Sequence, residues 1–433
     1  MEKIFRLKQN NTTVATEVRA GLTTFAAMAY IIFLNPVFLS ETGMNSAGVL
    51  TATCLSAALG TLLSAFLSNR PFAMASGMGM NAYFTYTLCF TYGYTWQQAL
   101  ALTFISGLIF LIIALIAGKK AVGFIPENMR HAITAGIGLF ILLIGLLDAG
   151  IVEMTAGFPA LGNLKSLPVI TALIGLAIIM VLTVLKVKGS LIIGMLITAA
   201  FAWATGQTGL NGSPFALPTA LGDVAFKLDF SGLFSGGAAL IPMLVAVIIS
   251  MTIVDMFDTL GFLIGTLSRT EDFDKDYRSA RLDRILAADA GATLIGALCG
   301  TSTVTVYAES ASGVEAGGRT GLTAMTTAIC FMLAVFFSPV TALFNSAVTA
   351  PALIMVGIYL MMDFKKIRFD AMDDTIPALI TAVVMPFAYS ITTGIGAGFI
   401  SYVICKIAAR KWKDLTPASV ILAVIFVIYF VLN

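Results

Sequence analysis

Long apolar stretches fill most of this chain and limit the folds that it can adopt. A helix needs roughly 20 apolar residues to cross a bilayer, and fourteen stretches are that long or nearly so. They lie at 20–40, 46–67, 72–90, 97–117, 131–148, 168–186, 190–205, 238–268, 285–299, 301–316, 321–338, 347–362, 375–405 and 416–432, with a Gly- and Pro-rich loop at 206–237. Charged residues make up 11% of the chain, whereas a soluble domain carries roughly 25%. The sequence therefore predicts an all-α polytopic membrane protein embedded in a lipid bilayer.

Positive charges are concentrated on one side of the predicted segments. The connections on the side of the N-terminus hold 19 of the 25 Lys and Arg residues, and the opposite side holds Lys165 and Lys227. By the positive-inside rule, the polar N-terminus at 1–19 is cytoplasmic in a multi-pass protein of the cell membrane. The loop at 269–284 carries five charges of each sign and is expected to be solvated on the same side.

Four more basic residues, between 406 and 413, disagree with this alternation. They fall between the last two predicted segments. If every predicted segment crosses the membrane once, this connection lies on the outer side. The segment 375–405 contains Pro377 and Pro386, and proline bends or breaks helices. This segment is therefore either one crossing or a bent pair, and the topology of 375–433 stays open.

The stretch 301–318 is unusual because it is polar but lies between very apolar segments. Its Thr303–Val306 portion alternates as a strand does, and a small, helix-like portion with Glu309 near its start follows. Irregular backbone at membrane depth is tolerated only where protein buries it or where it lines a cavity. An ionisable group there is a candidate functional residue, although Glu309 could also simply cap its helix.

The first half of the chain contains a counterpart to this stretch. Residues 70–81 also form a short extended piece followed by a helix start, at Gly77 to Asn81. Each half contains seven segments, and a chain that crosses the membrane an odd number of times ends on the opposite side. The second repeat therefore begins on the other side of the membrane and is inverted relative to the first. Interrupted helices at matching positions of inverted repeats indicate a transporter site near the membrane midplane. The free N–H groups of two facing helix starts can bind a carbonyl or ring nitrogen.

Three aspartates lie in otherwise apolar segments. Asp255 and Asp258 are three residues apart and share a helix face, and Asp289 lies in the next segment. Burying an unpaired carboxylate is costly, so each is either functional or held by hydrogen bonds. For Asp289 we favour a supporting role, in which it accepts hydrogen bonds at the strand-to-helix corner. Asn81 has two open interpretations, as a ligand for substrate or as a tie between helices.

Other classes of function lack the residues that they need. The chain has no Walker loop, no nucleophile–base set and no basic patch for nucleic acid. Its five cysteines are unpaired in spacing, and its one histidine, His131, lies among charges. We therefore expect no catalytic residues, no metal site and no cofactor.

Four motifs together resemble the nucleobase/ascorbate transporter superfamily, in particular its AzgA-like branch of purine permeases. They are AGLTTFAAMAYIIFLNP at 20–36, ASGMGMNAYF at 75–84, VDMFDTLG at 254–261 and GTSTVTVYAESASGVEAGGRTGLTA at 300–324. The resemblance covers nearly the whole chain. It implies about 14 segments in two inverted 7-segment repeats, with strand/half-helix interruptions in segments 3 and 10. It also implies a core domain (20–118 and 238–338) and a gate domain (119–206 and 339–433), with 207–237 as an extracytoplasmic loop.

The resemblance also implies which residues bind the substrate. By motif position, the two acidic contacts fall on Asp258 and Glu309, with the backbone at Met78 and Ala308 beside them. Gly77, Asn81 and Tyr307 belong to the same strand/half-helix elements, and Asp289 and Asp255 are expected to support the site. One departure is Phe262, where the family pattern leads us to expect a small hydroxyl residue.

These features lead us to expect a secondary transporter that imports adenine, guanine or hypoxanthine together with protons. Glu309 and Asp258 are the candidates for proton coupling. A pyrimidine or xanthine carrier, or an anion transporter of the same architecture, remains as an alternative. An anion carrier should have a cation, or no carboxylate, at the position of Glu309. A channel would show no saturation, and a membrane enzyme would need a catalytic cluster. Whether the protein is a monomer or a homodimer stays open.

Overall fold

The computed structural model describes residues 2–118, 125–155, 157–210, 213–218, 220–234, 241–267 and 281–432. Most of the charged loop predicted at 269–284 lies outside these ranges. Within them, nine helices are long and apolar enough to cross a membrane, and Ser190–Ala204 and Pro417–Leu432 are shorter apolar helices. The prediction of a polytopic helical protein is therefore confirmed.

The first half contains eight longer helices and three strands among the described residues. They are α1 (Val14–Met28), α2 (Ile31–Ser40), α3 (Ser46–Ser68), β1 (Met74–Ser76), α4 (Met78–Ala82, continued by a π-helix over Tyr83–Thr91), α5 (Trp96–Ile116), α6 (Glu127–Asp148), β2 (Val152–Thr155), β3 (Phe158–Leu161), α7 (Leu167–Val184) and α8 (Ser190–Ala204). Strands β2 and β3 form a separate antiparallel hairpin after α6.

The second half has a corresponding order of elements. They are α9 (Ile241–Leu267), α10 (Arg281–Cys299), β4 (Val304–Val306), α11 (Ser310–Glu315), α12 (Gly321–Ala334), α13 (Ser346–Met361), α14 (Met372–Phe387), α15 (Ile391–Ala408) and α16 (Pro417–Leu432). Short helical turns lie at Glu2–Phe5, Lys8–Asn10, Leu221–Val224, Gly232–Phe234, Val335–Leu343, Met362–Lys366 and Trp412–Asp414.

The two interrupted segments meet through their strands. β1 and β4 pair antiparallel, with Met74 opposite Val306 and Ser76 opposite Val304, and all six strand residues are buried. The ladder is extended at both ends, because Gly77 N–H donates to Thr303 O at 3.1 Å and Tyr307 N–H donates to Ala73 O at 3.0 Å. Each strand thus supplies hydrogen-bond partners for backbone N–H and C=O groups of the other strand, which lie outside any helix. The predicted interruptions in segments 3 and 10 are confirmed.

Residues 375–405 are a pair of helices and not one crossing. A turn with Tyr389 at φ 48° separates α14 from α15, and the Ser390 side chain caps α15 by accepting from Thr393 N–H. Lys406, near the end of α15, bonds to Asp373 at the start of α14 at 2.6 Å, so the helices are antiparallel. The basic residues at 406–413 therefore lie at the same end as the start of α14, which removes the disagreement in charge alternation.

The helices pack in two groups. In one, α3 packs against α10 and α12, α5 against α10, and α1 against α11 and α12. In the other, α6 packs against α13 and α14, and α7 against α13. Small residues allow close approach within a group: a Cβ at Gly138 of α6 would lie 2.8 Å from the carbonyl oxygen of Gly357 in α13. The strand pair lies in the first group.

Candidate functional site

A cavity of about 100 Å³ lies where the starts of the two half-helices face each other. Six of the seven residues predicted to bind substrate line it: Gly77, Met78, Asp258, Tyr307, Ala308 and Glu309. The other lining residues are Tyr30, Gly79, Phe262, Thr305, Val356, Tyr359 and Leu360. The fold therefore brings together motifs that are more than 170 positions apart in the sequence, from both repeats.

Glu309 occupies the residue just before α11, with its side chain at the cavity. The hydroxyl of Tyr30 donates a hydrogen bond to Glu309 Oε1 at 2.7 Å. Tyr30 lies between α1 and α2, and sequence reasoning did not single it out. The only sequence signal for a role of Tyr30 was its place within the motif at 20–36, because its partner Glu309 is 279 positions away in the sequence. This contact orients the carboxylate from a distant segment.

Asp258 reaches the cavity from α9 and faces the other half-helix. A Cβ built at Gly79 would lie 3.6 Å from Asp258 Oδ2 and 2.8 Å from Ile137, so only glycine fits there without displacing its neighbours. Asp258 is 9% exposed, and no hydrogen bond to it appears among the described residues. The carboxylates of Asp258 and Glu309 thus reach one cavity from two different elements. Asp258 lies near the start of α4, and Glu309 lies at the start of α11.

Asp289 and Asp255 lie beside β4 and do not line the cavity. Asp289 Oδ1 accepts from Val306 N–H at 2.9 Å, which is the kind of backbone contact predicted for it. Asp255 Oδ2 accepts from the hydroxyl of Thr293 at 2.8 Å. Asp289 thus holds the edge of β4 that does not pair with β1, and Asp255 acts on the same edge through the Thr293 hydroxyl, which lies 3.3 Å from the backbone N and O of Val304.

Asn81 is buried and is the one predicted binding residue that does not line the cavity. Its side-chain oxygen accepts from the hydroxyl of Ser302, and its nitrogen lies 3.7 Å from the sulfur of Met78. Of its two open interpretations, these contacts fit the tie between the two interrupted segments. A direct contact with substrate stays a prediction.

A third set of lining residues comes from α13 in the other helix group. Val356, Tyr359 and Leu360 approach the cavity from this helix, and Phe262 approaches from α9. The sequence showed α13 only as one more apolar segment, so these side chains were missed. Asp258 belongs to α9, which packs against α5 of the first group, and Glu309 lies at the start of α11 in that group. The cavity therefore lies between these elements and an apolar wall on α13 of the second group.

A second cavity, of about 290 Å³, adjoins the first and shares Glu309 and Tyr359 with it. Exposed charged residues line it, namely Lys186, Lys188 and Glu315. The hydroxyl of Tyr359 lies 3.0 Å from that of Thr183 at the boundary. On the opposite side, aromatic contacts join α2, α4, α6 and the α14–α15 turn, through Phe38, Tyr86, Phe140 and Tyr389. The site is thus approached from the end where the basic residues lie.

Comparison with known proteins adds to this geometry. The guanine/hypoxanthine permease PbuO of Bacillus subtilis is 40% identical over 431 residues, which cover 98% of this chain and 99% of that protein. The adenine permease AdeP of Escherichia coli is 36% identical over 433 residues, which cover 100% of this chain and 96% of that protein.

Solved structures share the architecture at much lower identity. The transmembrane domain of the cyanobacterial bicarbonate transporter BicA superposes with a TM-score of 0.62 at 14% identity, covering 91% of this chain and 97% of that one. This likeness shows the fold alone. The Xan_ur_permease family, described as a permease family, matches residues 15–397. The chain therefore belongs to this permease family, within the nucleobase/ascorbate transporter superfamily, and is a multi-pass membrane transporter and not an enzyme.

Proposed function

We propose that the protein imports purine nucleobases by proton symport and binds the base in the cavity between the half-helix starts. The observation that carries this proposal is the meeting of Asp258 and Glu309 at one cavity with two helix starts. The full-length similarity to permeases named for guanine, hypoxanthine and adenine supports the choice of purines. N–H donors and ring acceptors alternate along the edge of a purine, and this cavity offers partners for both.

The chemistry of the lining matches such a ligand. Carboxylate oxygens accept hydrogen bonds, so Asp258 and Glu309 would bind the N–H groups of the base. The backbone at Met78 and Ala308, at the two half-helix starts, would donate to its carbonyl oxygen or ring nitrogens. The aromatic ring of Phe262 and the apolar side chains of α13 would pack against the flat faces.

Transport would follow from movement between the two groups of helices. We assign 20–118 and 238–338 to a core domain that carries both carboxylates, and 119–206 and 339–433 to a gate domain that carries α13. The site lies between them, so a shift of one against the other would open it to either side in turn. The cavity lined by Lys186 and Lys188 would be the cytoplasmic exit, with the N-terminus on that side in the cell membrane.

The lining argues against an anion as substrate, although anion transporters share the fold. Two carboxylates and no Lys, Arg or His line the 100 Å³ cavity among the described residues. An anion placed there would be repelled by both carboxylates. A pyrimidine or xanthine carrier would use the same groups, so competition between bases must separate these substrates.

The test is uptake of labelled adenine, guanine and hypoxanthine by the purified protein in lipid vesicles, with and without a proton gradient. Asp258→Asn and Glu309→Gln should each abolish saturable uptake, because each replaces one acceptor oxygen and the negative charge of the carboxylate with an amide N–H₂ donor. Glu153→Gln, on the exposed hairpin, is the matched control and should transport normally. Full uptake by both site variants would refute the site. Uptake that ignores the gradient would refute proton coupling. Stronger competition by uracil would refute purine preference, and stronger competition by xanthine would refute the preference for adenine, guanine or hypoxanthine.

A further inference from the structure

Two carboxyl groups beside β4 have no part in the proposed contacts with the base. Asp255 and Asp289 are both 0% exposed. One oxygen of each is occupied, by the hydroxyl of Thr293 and by Val306 N–H. The other oxygens, Asp255 Oδ1 and Asp289 Oδ2, are buried without a hydrogen-bond partner. Thr293 follows Asp289 by one helical turn, so α10 brings both carboxyl groups to the same part of β4.

No cation neutralises this pair within the described part of the chain, because none of its ion pairs involves either aspartate. The charged groups that face α9 nearby are Asp258, one turn away, and Arg130 of α6, which lies 5.7 Å from an aromatic ring of α9. Asp363, on the turn after α13, is itself paired with His131 at 3.0 Å and with Lys366 at 2.7 Å.

The elements packed on the other sides contribute uncharged groups. A Cβ at Gly60 of α3 would meet Ala292 of α10 at 2.8 Å, and one at Gly107 of α5 would meet Thr293 at 2.8 Å. On β4 itself, Thr305 contacts the hydroxyl of Thr259. On these sides, small uncharged groups pack closely around the pair, and Thr305 also lines the cavity.

An ionised carboxylate in such a place is costly. Burying one without a partner or water costs several kcal/mol, and two close together also repel each other. Asp258 and Glu309 differ, since both line the cavity, where water or substrate reaches them. Burial therefore favours the protonated form of this pair, and its two unpartnered oxygens are where a proton can bind.

We infer that Asp255 and Asp289 together hold the proton that is transported with the base, behind the groups that bind the base itself. The inference rests on the proposed function. In the binding step, a proton from the outer aqueous side adds to a carboxylate oxygen and forms an O–H bond. The same bond breaks when the proton is released to the cytoplasm, and no bond of the base changes.

The structure connects this pair to both predicted base contacts. Asp289 bonds to Val306, and β4 then leads through Tyr307 and Ala308 to Glu309. Asp255 lies one turn before Asp258 on α9. A change in charge on the pair alters the hydrogen bonds that hold β4 and the field at Asp258. Loading of the proton can thereby set the affinity for the base without contact between proton and base.

The experiment compares two transport assays on Asp255→Asn and Asp289→Asn, using the labelled purine that the unmodified protein takes up best. Exchange of labelled for unlabelled base across the vesicle membrane needs binding and movement but no net proton flow. Both variants should keep exchange, and their net uptake should become equal with and without a proton gradient. Glu17→Gln is the matched buried-carboxylate control, since five hydrogen bonds from Arg319, Thr320 and Thr323 already satisfy Glu17. It should keep gradient-driven uptake.

The outcomes separate this inference from the proposed function. Gradient-driven accumulation that persists in both aspartate variants overturns the inference alone, whereas absence of purine exchange in the unmodified protein overturns the proposed function. If both variants fail to fold, infrared spectroscopy of the unmodified protein decides. A carbonyl band of a protonated carboxyl group should be present at neutral pH, and Thr293→Val should shift it by removing a donor to Asp255. A missing or unshifted band overturns the inference.

Discussion

At the scale of single residues, the bond between Tyr30 and Glu309 shows how the site is held. Tyr30→Phe removes one hydroxyl donor to a carboxylate and leaves the ring in place. A hydrogen bond to a charged group is worth about 1.5–3 kcal/mol, so we expect roughly a tenfold or greater fall in kcat/KM for base uptake. Vesicle uptake at several base concentrations measures this change.

The control for this variant is Tyr402→Phe, which removes a hydroxyl that donates to the carbonyl of Asp414 at 3.0 Å, far from the cavity. It should leave uptake unchanged. Equal uptake by Tyr30→Phe and the unmodified protein would mean that Glu309 is oriented without Tyr30.

Sequence reasoning located the residues that belong to motifs but not their partners from other segments. Glu309, Asp258 and the half-helix starts stand out because charge or irregular backbone within apolar segments is unusual. Tyr30 and Tyr359 do not stand out, because a tyrosine in an apolar segment is ordinary until the fold shows its partner. Glu17 was missed for the same reason, although its carboxylate is buried and caps α12.

At the scale of elements, the strands β1 and β4 were predictable, whereas the β2–β3 hairpin and one helix boundary were not. The alternation in 303–306 and the matching stretch at 70–81 predicted the interruptions, and β1 and β4 lie there. The turn between α14 and α15 was obscured because its residues, Ala388 to Ser390, carry no charge, glycine or proline. The cap residue Ser390 and the preceding Pro386 were the only local signals of a helix end and a new helix start.

The α14–α15 pair is held by Lys406, and this contact gives a prediction about stability. Lys406 is 2% exposed and lies within 3.3 Å of carboxylate oxygens of Asp373, Asp374 and Asp414. Lys406→Met leaves these carboxylates without their shared cation, and we expect a loss on the order of 2–3 kcal/mol in the free energy of unfolding. Thermal unfolding of the purified protein in detergent should show a lower midpoint.

Lys411→Met is the control, because Lys411 is 44% exposed and pairs with Asp373 at 2.9 Å near solvent. An exposed ion pair contributes about 0–1 kcal/mol, so its midpoint should change little. A midpoint for Lys406→Met equal to that of Lys411→Met would mean that the shared cation does not hold the pair together.

At the scale of the whole molecule, the sequence indicated two repeats and a site between them but not which side is open. Repeats and interrupted segments are local patterns, and they can be seen in the distribution of apolar residues along the sequence. The relative placement of the two helix groups depends on contacts between distant segments, and alternative placements commonly differ by only a few kcal/mol. Here the cavity near Lys186 and Lys188 adjoins the site, while aromatic contacts between Tyr86, Phe140 and Tyr389 lie on the other side.

Contacts on that closed side give a test of alternating access. The hydroxyl of Thr91, the last residue of the π-helix that continues α4, donates to the carbonyl of Tyr389 at 3.2 Å, and the hydroxyls of Tyr92 and Ser390 are 3.0 Å apart. These residues belong to the proposed core and gate domains respectively. If the domains must separate here for the site to open outward, then a covalent link across this contact stops transport.

We therefore expect a double variant, Thr91→Cys with Ser390→Cys in a background without the five native cysteines, to lose uptake when a short bifunctional methanethiosulfonate reagent is added. A reducing agent should restore uptake, and each single variant should be unaffected. Binding of base to the linked protein in detergent should persist, because the cavity stays accessible from the end near Lys186 and Lys188. Undiminished uptake by the linked double variant would show that the two helix groups do not separate at this contact during transport. Loss of binding together with uptake would show instead that the link distorts the site.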